Sequence, residues 1–288
     1  MERTAFTKMY KKAKEKGTEA ISMEYDIPQE EVEVLLPSLI VLNRLLKYTV
    51  NDSILLSNVL LSDAVMFEML FPKEASFVVK AYEEFTLQSA TSIAERFGRD
   101  TGHISRVSSV ALEIYDKMKK LHGYKLRERT LLQVSAILQD IGKYVNVRNH
   151  ALLSYNTITN LDIVGINDHE RLIIATVCYY HNGNIPSMDS PIYNQLSQED
   201  RVMVSKLAAI LQISNAINTS HSPKFEQVSV NMKNGKLNIY LTTLKNINLE
   251  KWAFIAKTKL FREVYGLNAT IIKRGVLSVS YTHLTLPT

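Results

Sequence analysis

A single cysteine among 288 residues rules out an internal disulfide framework. Cys178 lies in the apolar run Arg171 to Cys178, where it reads as a small buried hydrophobe of a protein kept in a reducing, cytoplasmic compartment. No run of about 18 apolar residues occurs, because Leu35 to Leu46 is interrupted by Pro37, Asn43 and Arg44, so neither a membrane span nor a membrane partner is expected. The opening segment, Met1 to Lys14, has no apolar core of the kind a secretion signal needs. Glycine is scarce at 10 residues, and no glycine-rich strand-to-helix turn precedes residue 70 to cradle a phosphate. What is present is ordinary globular composition, 46% hydrophobic and 22% charged, at a length that accommodates two or three domains. A formal net charge of +5 favours anionic partners such as phosphate chains or nucleotides. The lysines from Lys8 to Lys16 read as one solvated helix face, so nucleic acid is not an expected partner.

Patterning divides the chain. Asp26, Pro28 and the carboxylates Glu30 and Glu31 open a helix, and Pro37 is placed to restart a second one. Ser53 to Ser57 reads as a short buried strand and Leu61 to Leu70 as a helix, giving an α/β piece with too few strands to close a sheet. From Ser76 to about Ser220 the apolar residues recur at helical intervals, punctuated by Gly98, Gly123, Gly142, Gly165 and Gly183, which predicts an all-helical domain. Beyond Pro223, Gln227 to Met232 and Lys236 to Leu241 alternate around Lys233-Asn234-Gly235, a hairpin signature. A helix over 249–265 and a strand over 269–273 complete a small ββαβ cap. The end of the chain, 276–288, continues neither pattern and reads as a non-native tail; His283 is set aside with it.

The residues suited to chemistry sit at helix ends. His103 opens one helix, Asp140 closes another, His150 opens the next within Arg148 to Tyr155, and His181 closes Val177 to His181. Asn215 lies inside Lys206 to His221. Arg96, Arg99, Arg106, Lys143 and Arg148 could line a groove for a phosphate chain, with His150 among its ligands, or could be ordinary solvated cations. His103 and Asp140 could equally form a buried hydrogen-bonded pair joined by Gln139 and Asn215. His150 could simply cap its helix and His181 could be a solvated loop residue. His122, His169 and His221 have no partner that the sequence names.

These landmarks resemble the HD-domain superfamily, and more closely the C-terminal helical domain of the exopolyphosphatase and guanosine pentaphosphate phosphatase family. The points of similarity are His103, the run Gln139-Asp140-Ile141-Gly142-Lys143, Tyr180-His181 through Pro186, and Leu207 to His221 with its ending Asn218-Thr219-Ser220-His221. Glu33 to Pro37, Ile54 to Ser57 and Leu61 to Leu70 resemble the end of the family's second actin-like phosphotransferase domain. The resemblance implies a mainly α chain: 1–72 as a piece of an actin-like (ribonuclease H-like) domain, 73–222 as an HD-type helical domain, 223–275 as the cap, and 276–288 as the tail.

It also implies a bacterial hydrolase that releases orthophosphate from polyphosphate or guanosine pentaphosphate with Mg or Mn, acting as a homodimer. The catalytic carboxylate of such an enzyme lies ahead of the region present here, so the chain is expected to be a C-terminal fragment without the main active site. The HD metal set would be His103, Asp140 and His181, with Gln139 standing where the motif has His and Asn215 where it has a carboxylate. Neutral amide oxygens are poorer donors, so the helical domain is expected to bind no metal. Two rival readings remain: an independent metal-dependent phosphohydrolase of nucleotides, and a non-catalytic module that binds polyphosphate or guanosine polyphosphate.

Overall fold

The computed structural model describes residues 1–55, 61–71, 76–220, 222, 224–233 and 235–275. The chain separates into two units, Met1–Ala75 and Ser76–Thr288.

In the first unit, α1 (Arg3–Tyr25) is interrupted at Gly17, whose φ of 76° no side-chain-bearing residue adopts cheaply. The break brings Lys12 and Lys16 onto the same carboxylate, Glu24, at 2.8 and 2.5 Å. The lysine-rich face before it is exposed. Phe6 and Ile21 of α1 are buried, as are Val32 and Leu39 of α2 (Gln29–Leu46). Pro28 occupies the cap position of α2, with Glu30 and Glu31 in its first turn, where carboxylates favour the helix dipole. Contrary to the expectation of a restart, α2 runs through Pro37. Proline there removes one backbone donor without ending a helix whose buried face lies on both sides of it.

The expected buried strand at Ser53 to Ser57 is also corrected. Ser53 forms only an isolated bridge to Glu2, Ile54 N–H donates to the carbonyl of Met1, and Leu55 is 94% exposed. The partner is the first turn of the chain, too short to extend a ladder, and Leu56 and Ser57 lie outside the described residues. After it comes α3 (Leu61–Leu70).

The second unit is built from α4 (Ser76–Arg96), α5 (Thr101–Lys117), α6 (Lys119–His122), α7 (Leu126–Leu138), α8 (His150–Ile158), α9 (Asp168–Tyr180), α10 (Pro191–Asn194) and α11 (Gln198–Ile217). Its centre is α7, in which Leu131, Leu132, Val134, Ser135, Ala136, Ile137 and Leu138 are all buried, as expected of a helix surrounded by others. The Cys178 thiol of α9 donates to the carbonyl of Ser135 at 3.3 Å, and burial pushes its pKa up, so it is an inert packing group. Starts are well defined: Asp100 accepts from Gly102 N–H at the head of α5, and Asn167 and Glu170 form a reciprocal cap on α9.

The cap lies where the alternation places it. β1 (Gln227–Lys233) pairs antiparallel with β2 (Lys236–Thr242), which pairs parallel with β3 (Asn268–Arg274) after α12 (Asn248–Tyr265). Leu237, Ile239 and Leu241 on the inner face of β2 are fully buried and share one core with Phe254 and Phe261 of α12 and with the α11 residues. In the expected hairpin turn Asn234 lies outside the described residues, and Gly235 has φ 66°. His221, Pro223 and the tail 276–288 also lie outside them. Among the described residues no helix is long and apolar enough to cross a membrane.

Candidate functional site

Four helix ends converge in the second unit. His103 stands in the first turn of α5; Asp140 follows α7; His150 is the first residue of α8; His181 follows α9. All four are buried, His181 completely.

The approach of His150 to Asp140 depends on one close contact. After α7 the chain makes a single 3-10 turn, Ile141–Tyr144, and Gly142 within it presses on the start of α8. A Cβ at Gly142 would overlap the carbonyl oxygen of His150 and sit 2.5 Å from Ser154 N. Gly142 N–H donates to Ser154 Oγ at 2.9 Å, and that hydroxyl donates to the carbonyl of Gln139 at 2.8 Å. The glycine of the Asp-Ile-Gly-Lys run therefore permits the approach that brings His150 to Asp140.

The two oxygens of Asp140 meet different surroundings. Oδ2 accepts from Lys143 Nζ at 2.7 Å and lies 3.9 Å from His103 Nε2. Oδ1 faces His181 Nε2 at 3.4 Å and His150 Nε2 at 3.6 Å and makes no hydrogen bond. Those two nitrogens are 3.2 Å apart. Burial raises the pKa of the Asp140 carboxyl, but its His181 and Lys143 neighbours outweigh it and hold the group well below the usual carboxylate range. Burial, reinforced by His181, lowers that of His150.

A cavity of about 240 Å³ opens beside this cluster, lined by Arg99, His103, Gln139, Asp140 and Lys143 among others. Gln139 Oε1 is buried there with no hydrogen-bond partner. Of the expected phosphate ligands, Arg99 and Lys143 thus reach the cavity. Arg106 lies 3.8 Å from Asp100, another lining residue, whereas Arg96 and Arg148 are exposed and outside the lining.

Of the expected metal set, Asp140 and His181 come together, and the third donor within 4.8 Å of both is His150 rather than His103. Asn215 is half-buried on α11. The α11 residue that reaches the loop after His181 is Gln212, whose amide donates to the carbonyls of Tyr180 and Asn184. His181 is not a solvated loop residue, and His150 does more than begin its helix. The unassigned His122 is held between Tyr115 and Tyr124, and His169 pairs with Asp200 at 2.9 Å.

Sequence reasoning missed Lys257 of α12. Its stem packs near Gly183 in the loop after α9, and burial lowers its pKa against the attraction of Asp140, with Lys143 adding to the lowering. No local pattern marks it, because it arrives from the cap.

Residues 87–260, from within α4 to within α12, match the family model described as Ppx/GppA phosphatase, domain III. The match spans more than half of the 288 residues and contains every residue of the site. By this match the chain belongs to the Ppx/GppA phosphatase family.

Proposed function

We propose that this helical domain serves a bacterial, cytoplasmic enzyme that hydrolyses terminal phosphoanhydrides of polyphosphate or guanosine pentaphosphate, and that its part is to hold the polyanion. The carrying observation is the cavity in which Arg99 and Lys143 stand beside a buried cluster of imidazoles, within a domain of the Ppx/GppA family. Cations at the mouth of a poorly solvated cleft bind phosphate oxygens through charge-assisted hydrogen bonds and focus the local field on an incoming chain. By resemblance, the attack on the phosphorus uses Mg or Mn and a carboxylate in the actin-like phosphotransferase domains, whose end 1–72 resembles. The HD-type domain would add length to the groove and support a homodimer.

Polyphosphate retention on a filter at several salt concentrations tests this reading. Charge reversal at Arg99 together with Lys143 is expected to weaken binding by about tenfold or more and to flatten its salt dependence. Undiminished retention in that double variant would refute it.

A second reading, metal-dependent hydrolysis of nucleotides by the helical domain itself, draws on the proximity of Asp140, His150 and His181. Hydrolysis by the purified chain that disappears in Asp140→Ala would favour it over simple binding.

A further inference from the structure

We propose that the cavity between the two halves of α1 and α2 binds a medium-chain fatty acid, with the alkyl chain inside and the carboxylate at Lys12 and Lys16. The site lies in the first unit, outside the matched residues 87–260, so its failure would leave polyanion binding at Arg99 and Lys143 untouched.

Gly17 creates the space. Its left-handed φ breaks α1, and the second half turns back far enough for Lys12 and Lys16 of the first half to reach Glu24. The cavity enclosed by these halves and α2 has a volume of about 170 Å³ and is walled by Met9, Ala13, Ile21, Ile27, Leu35 and Leu39. Tyr25 also lines it, but its hydroxyl is already held by Lys12 Nζ at 3.2 Å. Water deep inside would find no wall group to bond, and a dry apolar cavity of about 150 Å³ takes up the six carbons of benzene. The space therefore suits an alkyl chain of about six to eight carbons.

Charge at the mouth selects the head group. Lys12 and Lys16 lay their alkyl stems along the lining and carry their ammoniums to a single carboxylate, Lys12 to Glu24 Oε1 and Lys16 to Glu24 Oε2. Glu24 thus displays the clamp that a ligand carboxylate would use. Two cations share one anion, so the mouth keeps a net positive charge, and a second carboxylate would give each ammonium its own charge-assisted hydrogen bond. A cationic head would meet like charge instead. A second copy of the chain is the poorer occupant, because it would bring its own exposed lysine-rich face, Lys8 to Lys16, against this one.

Calorimetric titration of the full chain with unbranched carboxylates from butanoate to dodecanoate, each below its micelle concentration, tests the site. Affinity should rise about fourfold per added methylene, level off at about eight carbons and carry a negative heat-capacity change. Octanoate should bind about tenfold or more tightly than octylammonium. Lys12→Gln with Lys16→Gln, both at exposed positions, should erase or reverse that preference while leaving octanol binding in place. Ala13→Phe, verified as folded by circular dichroism, should fill the cavity and abolish binding of octanoate and octanol alike. Absence of saturable binding, affinity independent of chain length, equal binding of octylammonium by the parent chain, or unchanged octanoate binding in Ala13→Phe would overturn the proposal. So would self-association of the parent chain that octanoate or Ala13→Phe abolishes, because a second copy would then be the occupant.

Discussion

Gly142→Ala isolates the contact on which the site depends. The added Cβ would meet backbone, the carbonyl oxygen of His150 and, at 2.5 Å, the nitrogen of Ser154, where real Cβ atoms come no closer than 3.0 Å. The start of α8 would have to retreat by about 0.5 Å or more. Helix backbone cannot step aside as a side-chain tip can, so the cost belongs at the upper end of the about 1–3 kcal/mol seen for overpacking. Stretching the buried bond from Gly142 N–H to Ser154 Oγ adds about 1 kcal/mol. The sum, about 3 kcal/mol or more, should appear as faster hydrogen exchange of the α7 and α9 core amides, a readout confined to the second unit that does not require the whole chain to unfold at once. Gly123→Ala is the matched comparison. There φ is 72° and no atom lies within 4 Å, so only the left-handed backbone is penalised, at about 1–2 kcal/mol. If Gly142→Ala cost no more than Gly123→Ala, the close approach would not be what positions His150.

Ser154→Ala removes the hydroxyl that bridges Gly142 N–H and the Gln139 carbonyl, and should cost about 1–3 kcal/mol in the same exchange measurement while leaving helix content intact. His122 is held neutral, with its pKa lowered first by burial: Nε2 donates to the Tyr115 carbonyl and Nδ1 accepts from Tyr124 N–H. The unfolded chain therefore binds the extra proton, and this contribution to stability should fall as pH drops below about 6.5 and be complete above it. Melting temperatures between pH 7.5 and 5 should show that fall in the parent and a reduced one in His122→Gln; parallel curves would refute it. Arg127 grips Glu170 through two bonds of 2.6 and 2.5 Å and also donates to the carbonyl of Gly165. Arg127→Ala should cost about 1–2 kcal/mol by thermal melts, the figure being reduced for the exposure of the pair, and added salt should narrow the difference.

Where function was legible, it was carried by local signals. The helical period of 76–220, the alternation on either side of Asn234, and the run Gln139 to Lys143 each depend on neighbours in sequence, and each led to a real feature. The reading failed where partners come from elsewhere. Ile54 and Leu55 have strand-like composition, yet whether they form a strand depends on what lies beside them, and among the described residues only the first residues of the chain do. A proline in a first turn predicts a restart at Pro37, whereas its effect on α2 depends on packing that no local rule contains. The spacing of His150 from Asp140 in the sequence marks no contact between them. The two meet because Gly142 brings the head of α8 against the turn after α7. Lys257 lay beyond such reasoning altogether, since it reaches the site from the cap.

The motif that Gln139-Asp140 resembles has His at position 139, and that difference takes on a specific meaning once the two oxygens of Asp140 are separated. Gln139 shares its cavity with His103 and Lys143, and on that side Asp140 Oδ2 already has a permanent cation, the Lys143 ammonium at 2.7 Å. An ion ligated there by His103 and residue 139 would compete with that ammonium, and an amide at 139 removes one of its donors. On the other side Oδ1 has no such neutralising bond, and the two histidines facing it have their protons committed to backbone carbonyls. The amide at position 139 and the imidazoles of His150 and His181 therefore fall on opposite faces of a single carboxylate.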